Sequence, residues 1–190
     1  MLRVSFAVNV YSEQAGFDIP YGYVKRNTHR NTSWDEAKFE VVGQRYADLS
    51  DNDYGVALLN DCKYGYKVLD NMLDLNLLRS PTYPDPAADE GEHEFVYSLA
   101  PHAGDLARSD VFEHGAVLNQ PPILFAGKQC RDAKPPVSLQ SDGLTLEVVK
   151  KAEKEDALII RVVERRGRQS QGMLKFPQPP QKIVETNLIE

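Results

Sequence analysis

The apolar residues of this chain recur at every second position, and that period limits its possible folds more than any other feature. Leu2, Val4, Phe6, Val8 and Val10 fall on one side of an extended segment, with Arg3, Ser5 and Asn9 on the other, which is the pattern of a half-buried strand. Leu73, Leu75 and Leu77 alternate with Asp74 and Asn76 behind the turn signal Asp70-Asn71, so a hairpin with Lys67 to Leu69 is predicted. His93, Phe95, Tyr97 and Leu99 share a third such face. Leu144 to Val149 and Leu158 to Val163 flank the charged segment 150–156. Helical signals are confined to Trp34 to Lys38 and Asp105 to Glu113. Many short strands between polar turns predict an all-β sandwich.

Proline marks a division. The stretch from Pro121 to Pro136 holds two Pro-Pro pairs, with no strand alternation from Gly127 to Lys134 between them. Proline cannot donate to a sheet ladder, so no sheet is expected to run through. The reading is one unit over residues 1–128 and a smaller β unit over 137–190. A formal net charge of −6 gives no basic footprint for nucleic acid. No apolar run approaches the length of a membrane span, and Met1 to Val10 lacks the continuous apolar stretch of a signal peptide. The two cysteines, Cys62 and Cys130, stand in unrelated contexts, which favours a reducing, cytoplasmic setting over a disulfide framework.

Chemistry concentrates in one place. After the apolar run Tyr54 to Leu59 comes "NDCKYGY", residues 60–66, with an amide, an acid, a thiol, a lysine and two tyrosines around a glycine. Such a segment is either an Asx-type turn whose side chains cap their own backbone, or part of a binding site. The four histidines lack the close spacing of metal ligands, so no metal site is assigned to the chain. His93 on its apolar face reads as a core histidine, and His102 after Pro101 as a turn residue. No nucleophile motif occurs, and Cys62 lacks an obvious partner base. Residues 84–92 read as a solvated, proline-stiffened loop. No catalytic residue is assigned.

Four longer strings carry a family resemblance: "RNTHRNTSWDEAKFEVVGQRYADLS" (26–50), "DYGVALLNDCKYGY" (53–66), "LLRSPTYPDPAADEGEHEFVYSLAPHAGD" (77–105) and "LNQPP" (118–122). In this order they resemble the C-terminal β region of α-mannosidases of glycoside hydrolase family 38, and most closely its cytosolic and vacuolar branch. The resemblance implies part of a galactose-mutarotase-like supersandwich, N-terminally truncated, followed by a small C-terminal β-sandwich unit. It also implies a retaining glycosidase whose aspartate nucleophile and divalent metal, zinc or cobalt, lie in an N-terminal catalytic barrel. This chain has no counterpart of the family's His-x-Asp metal pair, so the isolated chain is expected to be inactive. Retaining hydrolysis needs a nucleophile and an acid/base flanking the scissile bond, and neither is assignable here.

By the same resemblance, the segment matching residues 60–65 approaches the barrel's sugar pocket, with a basic residue at the position of Lys63. Asn60, Asp61, Lys63 and Tyr64 are then expected to bind substrate in the whole enzyme. Asn60 and Asp61 would read vicinal hydroxyls, Lys63 would supply ammonium donors, and Tyr64 a ring face and a phenol. The implied partners are the N-terminal barrel of the same polypeptide and a mannose-containing oligosaccharide, with neither nucleic acid nor membrane. The face that meets the barrel should be apolar, with homo-oligomerisation as another way to cover it. Trp34, with Phe39 and Val41 nearby, reads as a core anchor rather than a sugar-binding platform, Asn31 and Ser33 as caps of the turn around it, and Arg79 as an ion-pair partner. A free-standing carbohydrate-binding or interaction module is the alternative function.

Overall fold

A computed structural model describes residues 1–127 and 134–188. The chain forms two compact units, Met1–Ile123 and Leu124–Glu190. The division expected at residue 128, and Cys130, lie outside the described residues.

In chain order the strands of the first unit are β1 (Leu2–Ala7), β2 (Gln14–Ile19), β3 (Gly22–Asn27), β4 (Val41–Val42), β5 (Tyr46–Ser50), β6 (Tyr54–Asn60), β7 (Gly65–Leu69), β8 (Met72–Leu78) and β9 (Tyr97–Ala103). They make two antiparallel sheets, ordered β1-β8-β7-β4 and β3-β2-β5-β6-β9. The period-two residues face inward from both. Leu73, Leu75 and Leu77 of β8 meet Phe17, Leu49, Val56 and Leu58 of the other sheet, with Val4, Phe6 and Val8 packed alongside. This is the sandwich that the alternation predicts. The β7–β8 hairpin closes at Asp70-Asn71, where Asp70 takes φ +52°, a left-handed conformation that aspartate tolerates better than most residues. Pro101 sits in β9, an edge strand of its sheet, where a missing ladder donor costs least.

The unbroken apolar run of β6 has its own cause. Val56 and Leu58 face the sandwich interior, whereas Ala57 and Leu59 face a second cluster on the sheet's outer side. Leu106 of a short 3₁₀ turn (Leu106–Arg108) and Val111 and Phe112 of a helix (Val111–Asn119) cover that side together with Tyr46. Phe112 meets the rings of Tyr46 and Tyr23 edge-on, at centroid separations of 5.8 and 6.0 Å. A strand buried on both faces cannot alternate.

Several expectations need correction. The helix over 111–119 outruns the turn or two expected between Asp105 and Glu113. The strand expected to carry His93 begins only at Tyr97; His93 is exposed in the preceding loop, stacked on Phe95 with its Nε2 3.0 Å from the Asp89 carbonyl oxygen. Trp34 is no core anchor. It lies in a one-turn helix (Ser33–Glu36) and is 80% exposed, and nearby Phe39 is 68% exposed. That turn is capped by Thr32, not by Asn31 or Ser33: the Thr32 hydroxyl accepts from the Asp35 backbone N–H at 3.1 Å. The loop over 84–92 is largely exposed, as expected.

In the second unit β10 (Ser138–Ser141) pairs with β13 (Gly172–Lys175), and β11 (Leu144–Lys151) with β12 (Leu158–Glu164), all antiparallel. A register shift between Leu146 and Val148 puts Glu147 out of step, and its carboxylate pairs with the buried Arg165.

Candidate functional site

The segment 60–64 joins the end of β6 to the start of β7, and Asn60 holds it in shape. Asn60 is only 2% exposed, and its side chain is fully engaged. Its Nδ2 donates to the Tyr66 hydroxyl and, at 3.3 Å, to the Gln44 carbonyl. Its Oδ1 accepts from the backbone N–H of Cys62 at 3.0 Å and of Lys63. The Asn60 carbonyl accepts from Asn119 Nδ2 at 3.0 Å, which ties the loop to the covering helix. At the other end the Tyr64 carbonyl accepts from Gly43 N–H at 3.0 Å. Of the two readings of "NDCKYGY", the Asx-type turn holds for Asn60. Asn60 makes that turn and has no polar atom left for a sugar, whereas the side chains of Asp61, Lys63 and Tyr64 take no part in the bonds that shape it.

Asp61 is exposed and Tyr64 is 60% exposed. The Lys63 ammonium lies 4.9 Å from the centroid of the Phe95 ring, a cation–π contact that steadies a long side chain. Burial, then the neighbouring Asp61, push the Cys62 thiol above its ordinary pKa, which makes it a poor nucleophile at neutral pH. Tyr66, wholly buried beneath the loop, has its phenol pushed up by burial and stays neutral.

Two charged clusters brace this region. On one, the Arg45 guanidinium forks onto the buried Asp18 carboxylate at 2.8 and 3.0 Å, and the Arg45 backbone N–H adds a bond at 3.0 Å. On the other, the Glu40 carboxylate bridges Arg3, at 2.7 Å, and Arg79, while Arg3 also reaches Asp74 at 3.4 Å. The ion-pair role expected of Arg79 is thus present. Asp74 and Asn76, on the polar side of β8, are nearly buried beneath this network although the alternation assigns them to solvent.

The histidines converge on no common point. Among the described residues, no group of three or more His, Cys, Asp or Glu side chains could hold a metal ion. The turn role expected of His102 is replaced by a buried pair inside β9, with Nε2 2.7 Å from Asp48 Oδ1. Asp48 Oδ2 accepts from the Ser50 hydroxyl at 2.7 Å, and that oxygen accepts from Leu106 N–H at 3.2 Å. Burial alone would lower the pKa of His102, but the hydrogen bond and charge of Asp48 outweigh it and hold the imidazolium above its ordinary value. Nothing in the sequence signals this cluster, because His102 and Leu106 lie more than fifty residues from Asp48 and Ser50.

Family models match both units: the glycosyl hydrolases family 38 C-terminal domain over residues 1–87, and the family 38 C-terminal β-sandwich domain over residues 143–190. The chain belongs to glycoside hydrolase family 38. It is 40% identical to α-mannosidase G of Dictyostelium discoideum and 40% identical to human α-mannosidase 2C1, in both cases over the whole of this chain. An α-mannosidase of Saccharomyces cerevisiae is 48% identical over 110 residues, 58% of the chain. The chain spans 18–19% of the length of the first two relatives, in which it corresponds to the C-terminal region. The solved structure of an α-mannosidase from Enterococcus faecalis V583 superposes with a TM-score of 0.71 at 20% identity, covering 86% of this chain and 20% of that one. A second family 38 structure from E. faecalis gives 0.74 at 20% identity over 94% of this chain. These superpositions establish the shared fold.

Proposed function

We propose that this chain is the non-catalytic β region of an α-mannosidase, that it stabilises a catalytic barrel carried by the same longer polypeptide, and that it lends Asp61, Lys63 and Tyr64 to the barrel's sugar pocket. The observation that carries the reading is the loop itself. Its backbone is held at both ends by hydrogen bonds, while Asp61 and Tyr64 are exposed and the Lys63 ammonium rests on the Phe95 ring. Preorganised groups on a rigid frame lose little entropy when a ligand arrives. Asn60 acts as the support of the loop. The zinc or cobalt ion that hydrolysis in this family requires would be held by the barrel, since the residues described here do not fit one. An exposed free thiol at Cys62 suits a reducing, cytoplasmic compartment.

The test uses a family 38 α-mannosidase that carries this sequence as its C-terminal region. Removing the Lys63 ammonium in Lys63→Ala deletes a charge-assisted hydrogen bond worth on the order of 1.5–3 kcal/mol, a loss of roughly 10- to 150-fold in kcat/KM. Lys63→Arg retains the charge and loses less. The 190-residue chain alone has no turnover of an aryl α-mannoside, with or without zinc or cobalt. Normal kinetics in Lys63→Ala would refute the sugar-pocket role, and metal-dependent turnover by the chain alone would refute the division of labour.

One observation favours the second reading, a carbohydrate-binding module in its own right. Trp34 and Phe39 are both exposed, and Arg30 lies 5.8 Å from the Phe39 ring. Exposed aromatic faces of this kind bind sugars. Glycan binding by the chain that Trp34→Ala abolishes would support this reading.

A further inference from the structure

Beside the Lys63–Tyr64 loop lies an open cleft of about 570 Å³, within the ~300–1,000 Å³ range of small-molecule sites. Lys63 and Tyr64 line it on one side, Arg79 and Asp89 on another, and Glu40 and Asn76 are also in its wall. We infer that this cleft is a carbohydrate subsite that holds sugar units next to the mannose being cleaved. The inference deepens the sugar-pocket role of the loop and rests on it for the identity of the sugar.

The lining decides the ligand class. Two acids, Glu40 and Asp89, are matched by two bases, Lys63 and Arg79, so the cleft has no charge excess to hold an anion or a cation. Tyr64 adds an exposed aromatic face, and the exposed Val42 adds aliphatic surface. Paired donors and acceptors around an aromatic face suit a neutral polyhydroxylated ring. Asn76 supplies a further sign. It is 7% exposed, yet its Oδ1 has no hydrogen-bond partner among the described residues. A buried acceptor left open is uncommon, because its lost hydration goes uncompensated. A Cβ at Gly65 would come within 2.9 Å of Glu40 Oε1 and 3.3 Å of Asn76 Cβ, so Glu40 and Asn76 flank this glycine, and its missing side chain leaves them room. Arg79, two-thirds exposed, is the arm that can move aside for a hydroxyl to reach this part of the wall.

Every lining residue belongs to the first unit, so the ¹⁵N-labelled 190-residue chain is sufficient for the test. It is titrated with an α-linked mannobiose, and with maltose as a control, while amide shifts are followed. Mannobiose is expected to shift the amides of Val42, Gly65, Leu77 and Arg79 with a millimolar Kd, at least about fivefold tighter than maltose. Tyr64→Ala and Arg79→Ala, both exposed and outside the core, should each weaken binding by at least about fivefold without altering the fold. Absence of saturable shifts, shifts centred on Trp34 and Phe39, or binding that ignores both substitutions would each overturn the subsite. The readout involves no catalysis, so it fails separately from the Lys63 kinetics: normal turnover in Lys63→Ala with intact cleft binding removes the sugar-pocket role and the placement beside the cleaved mannose, and leaves the cleft as a carbohydrate site.

Discussion

Replacing Asn60 by alanine probes the frame of the loop directly. The substitution removes both acceptor bonds that hold the Cys62 and Lys63 amides and both donor bonds, to the Tyr66 hydroxyl and the Gln44 carbonyl. A buried intramolecular hydrogen bond contributes about 0.5–1.5 kcal/mol net, and a buried polar group left unpaired costs about 1–3 kcal/mol. Here the two loop amides can turn to water, and the Tyr66 hydroxyl keeps a contact with Gln44 at 3.3 Å, so only part of that cost applies. The expected loss is about 2–4 kcal/mol, or roughly 10 °C in the melting temperature of a unit this size. Near-UV circular dichroism of the tyrosines during guanidinium and thermal unfolding measures it. Asn60→Asp keeps an acceptor for the two amides, and the Tyr66 hydroxyl can donate to its carboxylate, so it should lose less than half as much. A loss below about 1 kcal/mol in Asn60→Ala, or equal losses in both variants, would refute the claim that this side chain holds the loop.

Three further outcomes are expected. Gly65→Ala should cost about 1–3 kcal/mol, because its methyl meets a Glu40 carboxylate already tied to Arg3 and Arg79; an unchanged guanidinium midpoint would mean that the wall of the cleft is slack. His102 has a raised folded-state pKa, so its stabilising contribution is complete below its unfolded value of about 6.5 and fades as pH rises through the folded value. Melting temperature should therefore fall on going from pH 6 toward alkaline pH, and Asp48→Asn should flatten that slope. Trp34→Ala should change stability by no more than about 0.5 kcal/mol in urea unfolding, since an exposed indole has little packing to lose; a larger loss would restore it as an anchor.

How far the sequence could be read depended on the range of the interaction. Strands β1, β7 and β8 followed from alternation alone, because one face of each meets a single core. The helix over 111–119 was underestimated because its role, covering the outer side of the five-stranded sheet, depends on residues far earlier in the chain, among them Tyr23, Tyr46 and Ala57. Trp34 was misplaced by the general rule that a lone large aromatic seeks the interior, a rule that ignores which elements surround it. In the candidate site the turn-forming capacity of Asn60 was visible, but its burial was not. That burial arises from the crossing of β6, β7 and the covering helix, and only three-dimensional proximity brings Gln44, Tyr66 and Asn119 to one side chain. The pair Asp48–His102 and the identity of Arg79's partner, Glu40, were hidden for the same reason.

The bonds that set the path of residues 60–64 leave the side chains at 61, 63 and 64 free to vary. One side chain, Asn60, and main-chain atoms of Cys62, Lys63 and Tyr64 make the hydrogen bonds that fix the loop ends. The side chains at 61, 63 and 64 take no part in them. Mutation can therefore exchange the groups presented to a ligand while the backbone that presents them stays in place, and it can do so one residue at a time without crossing an unfolded intermediate. A loop built in this way can change the chemistry it presents long before the chain changes its fold.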